Sequence, residues 1–350
     1  MTRPIGYYVH HHGDGHRQRG LAIAEASRGA ITLLGTGLAG RTGSIPAIDL
    51  PDDRLDAAAF DGRDDGGRPA ALHYAPIDHE GVRRRVAMIS DWIARMRPSL
   101  IVVDVSVEIA MLARLASVPT VYVRLSGRRL DRPHCDAFRG ATALLAPFHA
   151  DLDTERTPQA IRRKTFYAAQ AIGTAATAAI EEDVVLGVVG RGGGPCEGEW
   201  WAAAARAVPN RRWRVIGPTT VPVEMPPNLD LRGWVDDADA MIARAGVVVG
   251  AAGDGLVSAV LAHRRPFVCI PEPRPFDEQV TKAGRLAALG AAIVPPRWPA
   301  PGQWPAVLRE AQKRDPAVAG RLTQDGGPTR VAHWLEMLSE ATTKTRSLSA

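Results

Sequence analysis

Short apolar runs alternate with amphipathic stretches along this chain, the pattern of strands exchanging with helices. IGYYVHH (5–11) predicts a buried strand, and the segment after His16 a helix carrying Leu21, Ile23 and Ala24. AITLLG (30–35) is a second strand, whereas residues 41–80, rich in Asp, Gly, Pro and Arg, read as a loop-heavy insertion. Val82, Val86, Ile89, Ile93 and Met96 then recur at helical spacing. The strand LIVVDV (100–105), a helix over 107–116, the strand PTVYVRL (119–125) and the strand ALLAPF (143–148) follow. This order with short connections implies a parallel, doubly wound sheet.

After an alanine-rich connection the alternation begins again. DVVLGVVG (183–190), RWRVIG (212–217), LDLRGWV (229–235), GVVVG (246–250), PFVCIP (266–271) and AAIVP (291–295) read as strands. Helices are expected over 198–207, 236–245, from 255, and over 277–289. Helical segments near 303–314 and 328–342 end the pattern, and TTKTRSLSA reads as a frayed tail. The fold class expected is α/β, with two Rossmann-like domains facing a cleft. Residues 1–168 form the first domain, 169–182 the connection, 183–325 the second, and 326–350 a final helix and tail. A length of 350 residues supports two separate cores.

Ligands in such sheets sit beyond the carboxyl ends of the strands, so the loops there carry the candidate chemistry. GDGHRQRG (13–20) supplies backbone freedom at Gly13 and Gly15 around Asp14, and places His16 where a helix begins. Gln18 stands where a dinucleotide fingerprint needs its third glycine, which counts against a nicotinamide oxidoreductase. The positive end of the helix disfavours imidazolium and suits a neutral, proton-accepting His16. A metal site from His12 and His16 with His10 or His11 is the competing reading. Strand alternation argues against it, because consecutive side chains point to opposite faces. A plain helix-capping role for His16 is the bland alternative.

GRGGGP (190–195) follows a strong strand; Arg191 and Gly192 could meet phosphate, but Pro195 replaces the last glycine of a fingerprint. GAAGDGLVSAVLA (250–262) is the better anion loop, with Gly253, Asp254 and Gly255 opening a helix whose amides face a ligand. PEPRPFDEQ (271–279) ends in Asp277, Glu278 and Gln279, groups that suit sugar hydroxyls or, more blandly, an acidic first helical turn.

Composition narrows the partners. The formal charge of +5 comes mostly from arginine, and aromatics are only 5% with no basic-aromatic stripe, so no nucleic acid is expected. Cys135, Cys196 and Cys269 are too scattered for a disulfide framework or a cysteine zinc site. MTRPIGYYV lacks a signal-peptide core, and Asp254 and four glycines interrupt the most apolar stretch, 246–263. The expectation is a cytoplasmic protein without a transmembrane segment, able to sit peripherally at the inner membrane face.

Taken in order, LDLRGWVDD, VVVGAAGDG and IPEPRPFDEQVTKAGRLAALGAA over 229–295, with GDGHRQRGLAIAEA near the start, resemble GT-B glycosyltransferases. The resemblance is closest to the family 28 type, which includes the N-acetylglucosaminyltransferase of peptidoglycan precursor synthesis. It implies an N-terminal acceptor domain and a C-terminal nucleotide-sugar domain, with the last helix crossing back to the first. Trp234 and Val235 would lie by the base; Gly253, Asp254 and Gly255 would meet the diphosphate, with Arg191 and Gly192 close by. Glu278 and Gln279 would hold sugar hydroxyls, with Glu272 and Asp277 on the same loop. His16 would act as general base and Asp104, in LIVVDVSVE, would orient it. Gly13, Asp14, Gly15 and Glu108 fall on the acceptor side.

Relatives usually carry a glutamate for ribose on the helix after the diphosphate loop. The matching residue here is Ala259, which leaves Ser258, Glu272 or backbone groups for that work. LSGRRLDRPHCDAF (125–138) reads as a mobile surface loop, or else as a recognition segment for an anionic acceptor. The implied activity is an inverting, metal-independent sugar transfer from a nucleoside-diphosphate sugar, a UDP-sugar by preference. The acceptor is an unidentified hydroxyl compound, possible classes being anionic and lipid-linked ones. No cofactor and no metal are implied. A nucleotide-sugar epimerase of the same architecture and a non-catalytic nucleotide- or sugar-binding protein are the alternatives.

Overall fold

The computed structural model describes residues 3–11, 14–56, 61–64, 67–169, 179–190, 197–324 and 326–347, with side chains to residue 343. The first sheet contains β1 (Ile5–Val9), β2 (Ile31–Gly35), β3 (Ala47–Asp49), β4 (Leu100–Asp104), β5 (Thr120–Val123), β6 (Ala143–Ala146) and β7 (Thr165–Tyr167). Its order is β3-β2-β1-β4-β5-β6-β7, and every pairing is parallel. Around it lie α1 (Asp14–Ala26), α2 (Glu80–Met96), α3 (Val107–Leu115), α4 (Arg132–Gly140) and α5 (Gln159–Arg163). Every residue of β1 and β4 is buried, as expected of central parallel strands covered by helices on both faces.

The second sheet has β8 (Glu181–Val188), β9 (Arg212–Ile216), β10 (Leu229–Gly233), β11 (Ala245–Gly250) and β12 (Phe267–Cys269), in the order β10-β9-β8-β11-β12, again all parallel. Its helices are α6 (Gly198–Ala207), α7 (Ala238–Arg244), α8 (Asp254–Ala262), α9 (Glu278–Ala288), α10 (Trp304–Gln312) and α11 (Pro316–Arg321). Each sheet solves the same packing problem on its central strand. A Cβ on Gly6 would lie 2.9 Å from the Trp92 ring, and one on Gly187 2.6 Å from the Trp201 ring. Glycine at those two positions lets a helix tryptophan press flat on the strand.

The last helix, α12 (Gly327–Ser347), lies against the first sheet's helix layer. Val331, Ala332 and Leu335 join the core around Ile5, Ile23 and Leu100. Trp334 stacks on Phe166 of β7, with ring centroids 4.5 Å apart, and the Ser339 hydroxyl meets that of Ser99 at 2.6 Å.

Several sequence expectations need correction. TTKTRSLSA does not begin a frayed tail, since α12 stays helical through Ser347. AAIVP (291–295) forms only one bridge, Ile293 to Val268, because the chain leaves the sheet edge at once. The insertion 41–80 contains β3, whose three residues are too few to signal themselves by alternation. Strand β7 and helices α5 and α11 were hidden for the same reason of length. Segment 125–138 is no surface loop: Leu125, Ser126, His134 and Phe138 are buried, and residues 132–140 are helical. Most of the alanine-rich connection, 170–178, lies outside the described residues.

Candidate active site

In the first sheet the chain runs outward from β1 to β2 and β3, and the other way from β4 to β7. The switch between β1 and β4 opens a crevice at their carboxyl ends. His16, on the first turn of α1, comes from one side of it, and Asp104, the last residue of β4, from the other. His16 Nδ1 lies 3.0 Å from Asp104 Oδ1; the histidine keeps a little exposure, whereas Asp104 has none. Burial alone would push the Asp104 carboxyl up. The Arg19 guanidinium and His16 outweigh it and hold the group at about 2, so Asp104 is an anion.

Arg19 is the residue that sequence reasoning missed. It sits three positions after His16 in GHRQRG, a spacing that puts both on one helical face. Its Nε and one terminal nitrogen each approach Asp104 Oδ2 to 3.3 Å, and that nitrogen lies 3.0 Å from His16 Nδ1. Nδ1 therefore faces an acceptor and an obligate donor at the same 3.0 Å: a proton on Nδ1 serves Asp104, and a lone pair there serves Arg19.

The second sheet repeats the construction. Its order reverses between β8 and β11, and α8 starts directly beyond β11. Gly253 is the N-cap of α8, and a Cβ on Gly253 or Gly255 would meet nothing within 4 Å. Protein packing therefore does not demand glycine there, whereas close approach of a ligand to the backbone would. The Asp254 carboxylate is taken by Lys282 of α9 and lies 3.7 Å from an Arg19 terminal nitrogen, so Arg19 spans the two halves. Lys282, fully buried, is the second missed residue; its signal is a single lysine one turn after Gln279, in a chain with only four lysines.

Gln279 stitches the neighbouring loops together, its Oε1 accepting from the amides of Ala252 (3.1 Å) and Glu272 (2.9 Å). Glu272 pairs with Arg274 at 2.8 Å. Asp277 has a positive φ of 52° and faces Arg128 at 3.4 Å, while Glu278 pairs with Arg129 at 3.0 Å. Ser258 and Asp254 share a cavity with Lys282, Phe148 and His149. Trp234 is half exposed, and Val235 packs on the second core with Ala259. On the other side, Glu108 Oε1 accepts from the amides of His73 and Tyr74 at 2.6 and 2.7 Å. Asp14 bonds Arg17 Nε at 3.0 Å; burial pushes its carboxyl up, but Arg17 and Gln18 more than reverse this and hold it low. Gly15 is exposed with open space at its Cβ. Gly13, Arg191 and Gly192 lie outside the described residues.

One step of the sequence argument fails. Alternation ends with β1 at Val9, and the His10 and His11 rings stack at 4.8 Å instead of pointing apart. His12, which the metal reading requires, lies outside the described residues.

No protein-family model and no curated protein matches this chain. Solved structures do. The spinosyn forosaminyltransferase SpnP superposes with a TM-score of 0.72 at 13% identity, covering 97% of this chain and 100% of the other. MurG of Acinetobacter baumannii gives 0.64 at 14% identity, covering 95% and 99%. UGT2 of Phytolacca americana, solved with UDP-2-fluoro-glucose and pterostilbene, gives 0.69 at 13%, covering 98% and 99%. The chain has the GT-B fold.

The two GT-B halves are pinned across their cleft. Besides Arg19–Asp254, Arg129 meets Glu278, the Arg128 amide donates to the Phe276 carbonyl at 2.7 Å, and Arg285 donates to the Asp151 carbonyl at 3.0 Å. The cavity beside Asp254 is about 10 Å³, and one of about 310 Å³ lies between the same halves, lined by Arg124, Arg128, Arg129, Asp277 and Thr281; ordinary small-molecule pockets hold roughly 300–1,000 Å³. No helix among the described residues is long and apolar enough to cross a membrane.

Proposed function

We propose that this protein is a glycosyltransferase that moves a sugar from a nucleoside-diphosphate donor to an acceptor hydroxyl, with inversion at the anomeric carbon. The observation that carries this reading is His16 held 3.0 Å from the buried Asp104 carboxylate at the first switch point, in a GT-B fold. His16 Nε2 takes the proton of the acceptor hydroxyl as its oxygen bonds the anomeric carbon. The bond from that carbon to the diphosphate breaks on the opposite face. Asp104 stabilises the imidazolium that forms, as a carboxylate does in a hydrolase triad. The departing diphosphate carries its charge toward the α8 N-terminus, Lys282 and Arg19.

Gly253, Asp254 and Gly255 frame the diphosphate; Trp234 and Val235 lie by the base, and Ser258 or Glu272 by the ribose. Glu278 and Gln279 hold sugar hydroxyls, with Asp277 next to them, while Asp14, Gly15 and Glu108 shape the acceptor side. Two features support a nucleotide donor: the open glycine cradle at the start of α8, and UDP-2-fluoro-glucose in the UGT2 structure of the same fold. The chemistry asks for no metal, because a base and fixed cations suffice.

The test is thermal stabilisation by uridine, thymidine and guanosine diphosphates and their glucose conjugates, with and without EDTA. A shift with one nucleotide that survives chelation is expected. No shift with any of them overturns the donor assignment. Product formed without an acceptor would point instead to epimerisation.

A further inference from the structure

A second histidine–aspartate cluster lies where the β5–α4 segment meets the loop before α9, and the transfer described above does not use it. Asp131 is the N-cap residue of α4, and both its carboxylate oxygens lie within hydrogen-bond distance of His134 Nδ1, at 2.9 and 2.8 Å. The His134 side chain is wholly buried, and its Nε2 has no hydrogen-bond partner among the described residues.

His73 completes the set. Its ring centroid lies 4.9 Å from that of His134, and one ligand atom each from His73, Asp131 and His134 falls within 4.8 Å of the others. The backbone bearing His73 is fixed, since Glu108 accepts from two consecutive amides there. Phe276 covers the cluster from the other half, edge-on to His134 at 4.9 Å and tilted against His73 at 5.4 Å. The nearest cation, Arg129, is neutralised by Glu278 at 3.0 Å.

We propose that His73, Asp131 and His134 form a binding site for a borderline divalent cation of the zinc class. Two imidazoles and one carboxylate are the donor set such ions select. Ligand atoms around a tetrahedral zinc ion lie roughly 3.3 Å apart, given bonds near 2.0–2.1 Å, so the three groups, within 4.8 Å here, would draw closer on binding. An ion shared with Asp131 binds His134 at Nδ1, where it replaces the proton between the two. Asp131 is about one-third exposed, which gives the ion a route in from solvent. Three protein ligands leave a fourth position for water or a substrate oxygen. The other candidate cluster, His11 with Asp52 and Asp53, is the weaker host because Arg54 already pairs with Asp52, at 3.0 Å, and Arg85 with Asp53, at 3.1 Å.

The test uses untagged, chelator-stripped full-length protein, titrated with Zn²⁺ by calorimetry and with Co²⁺ by visible absorbance. One equivalent is expected, with the absorbance of tetrahedral cobalt. His73→Ala, on a loop and tolerant of folding, should weaken the site at least about tenfold, and His134→Gln should do the same. His11→Ala should leave the stoichiometry unchanged. No binding at micromolar Zn²⁺, or binding that His73→Ala leaves intact, overturns the proposal. The readout is metal affinity, so it fails or succeeds independently of nucleotide binding and sugar transfer.

Discussion

Asp104→Asn is the most informative single change, because the structure fixes both its size and its pH dependence. Asp104 is fully buried, and Arg19 beside it is 3% exposed. Removing the carboxylate's charge leaves Arg19 in the interior with Asp254, at 3.7 Å, as the remaining carboxylate beside it, and otherwise uncharged contacts such as His16 Nδ1. Breaking a buried pair from one side costs about 3–5 kcal/mol, since the remaining ion keeps its desolvation penalty without its partner. The loss should appear as a lower urea midpoint at pH 7.

The sign of the pH effect follows from the same group. Asp104 has a folded pKa of about 2 against 3.8 for the free side chain. A depressed carboxylate contributes stability that is complete above the unfolded value and is lost as pH falls through the folded one. The shift corresponds to about 2 kcal/mol, present at pH 5 and gone near pH 1–2. The asparagine variant has no such contribution to lose, so the gap between wild type and variant should narrow by about that amount across this window. Urea titrations followed by circular dichroism from pH 7 to pH 3 would show the start of the convergence. A variant within about 1 kcal/mol of wild type at pH 7, well below the range for a broken buried pair, would refute the reasoning. So would two parallel acid limbs.

In the proposed transfer, His16→Ala should lower turnover at least about a hundredfold, the low end for a general base, read as nucleotide released from donor plus an acceptor panel. A loss below tenfold would remove His16 from that role. Asp254→Asn should tighten nucleoside diphosphate binding about two- to fivefold by calorimetry, the reach of one charge at a helix terminus. A tenfold loss would instead make the carboxylate a donor contact. Leu335→Ala, at a side chain with no exposure, should cost about 2–5 kcal/mol and free α12 to faster hydrogen exchange. Unchanged exchange would mean that Trp334 on Phe166 holds the helix alone.

The alternation of buried runs and helical periods was enough to read both parallel sheets, because β1, β4, β8 and β11 are dense apolar segments that little else could accommodate. Short elements escaped, since three residues at β3 and β7 carry no measurable period. At the site, glycines and the histidine beyond strand ends were visible as punctuation. Arg19 and Lys282 were not, because an arginine or lysine on a helix normally reads as solvated surface. Only the fold brings them inward, onto carboxylates contributed by β4 and α8. His134 was hidden in the same way: segment 125–138 looks polar in sequence, yet the opposing Phe276 and the helix α4 bury its middle.

Arg19 gives the cleft its logic. One guanidinium touches the carboxylate beside His16 and the carboxylate that opens α8, so the two halves share a cation. A helix N-terminus favours an anion, and here Asp254 supplies one from within the chain. An arriving diphosphate would compete for the same helix end and for Lys282 and Arg19. The Arg19–Asp254 contact is one of those pinning the two halves together, so in the proposed transfer donor binding would loosen it.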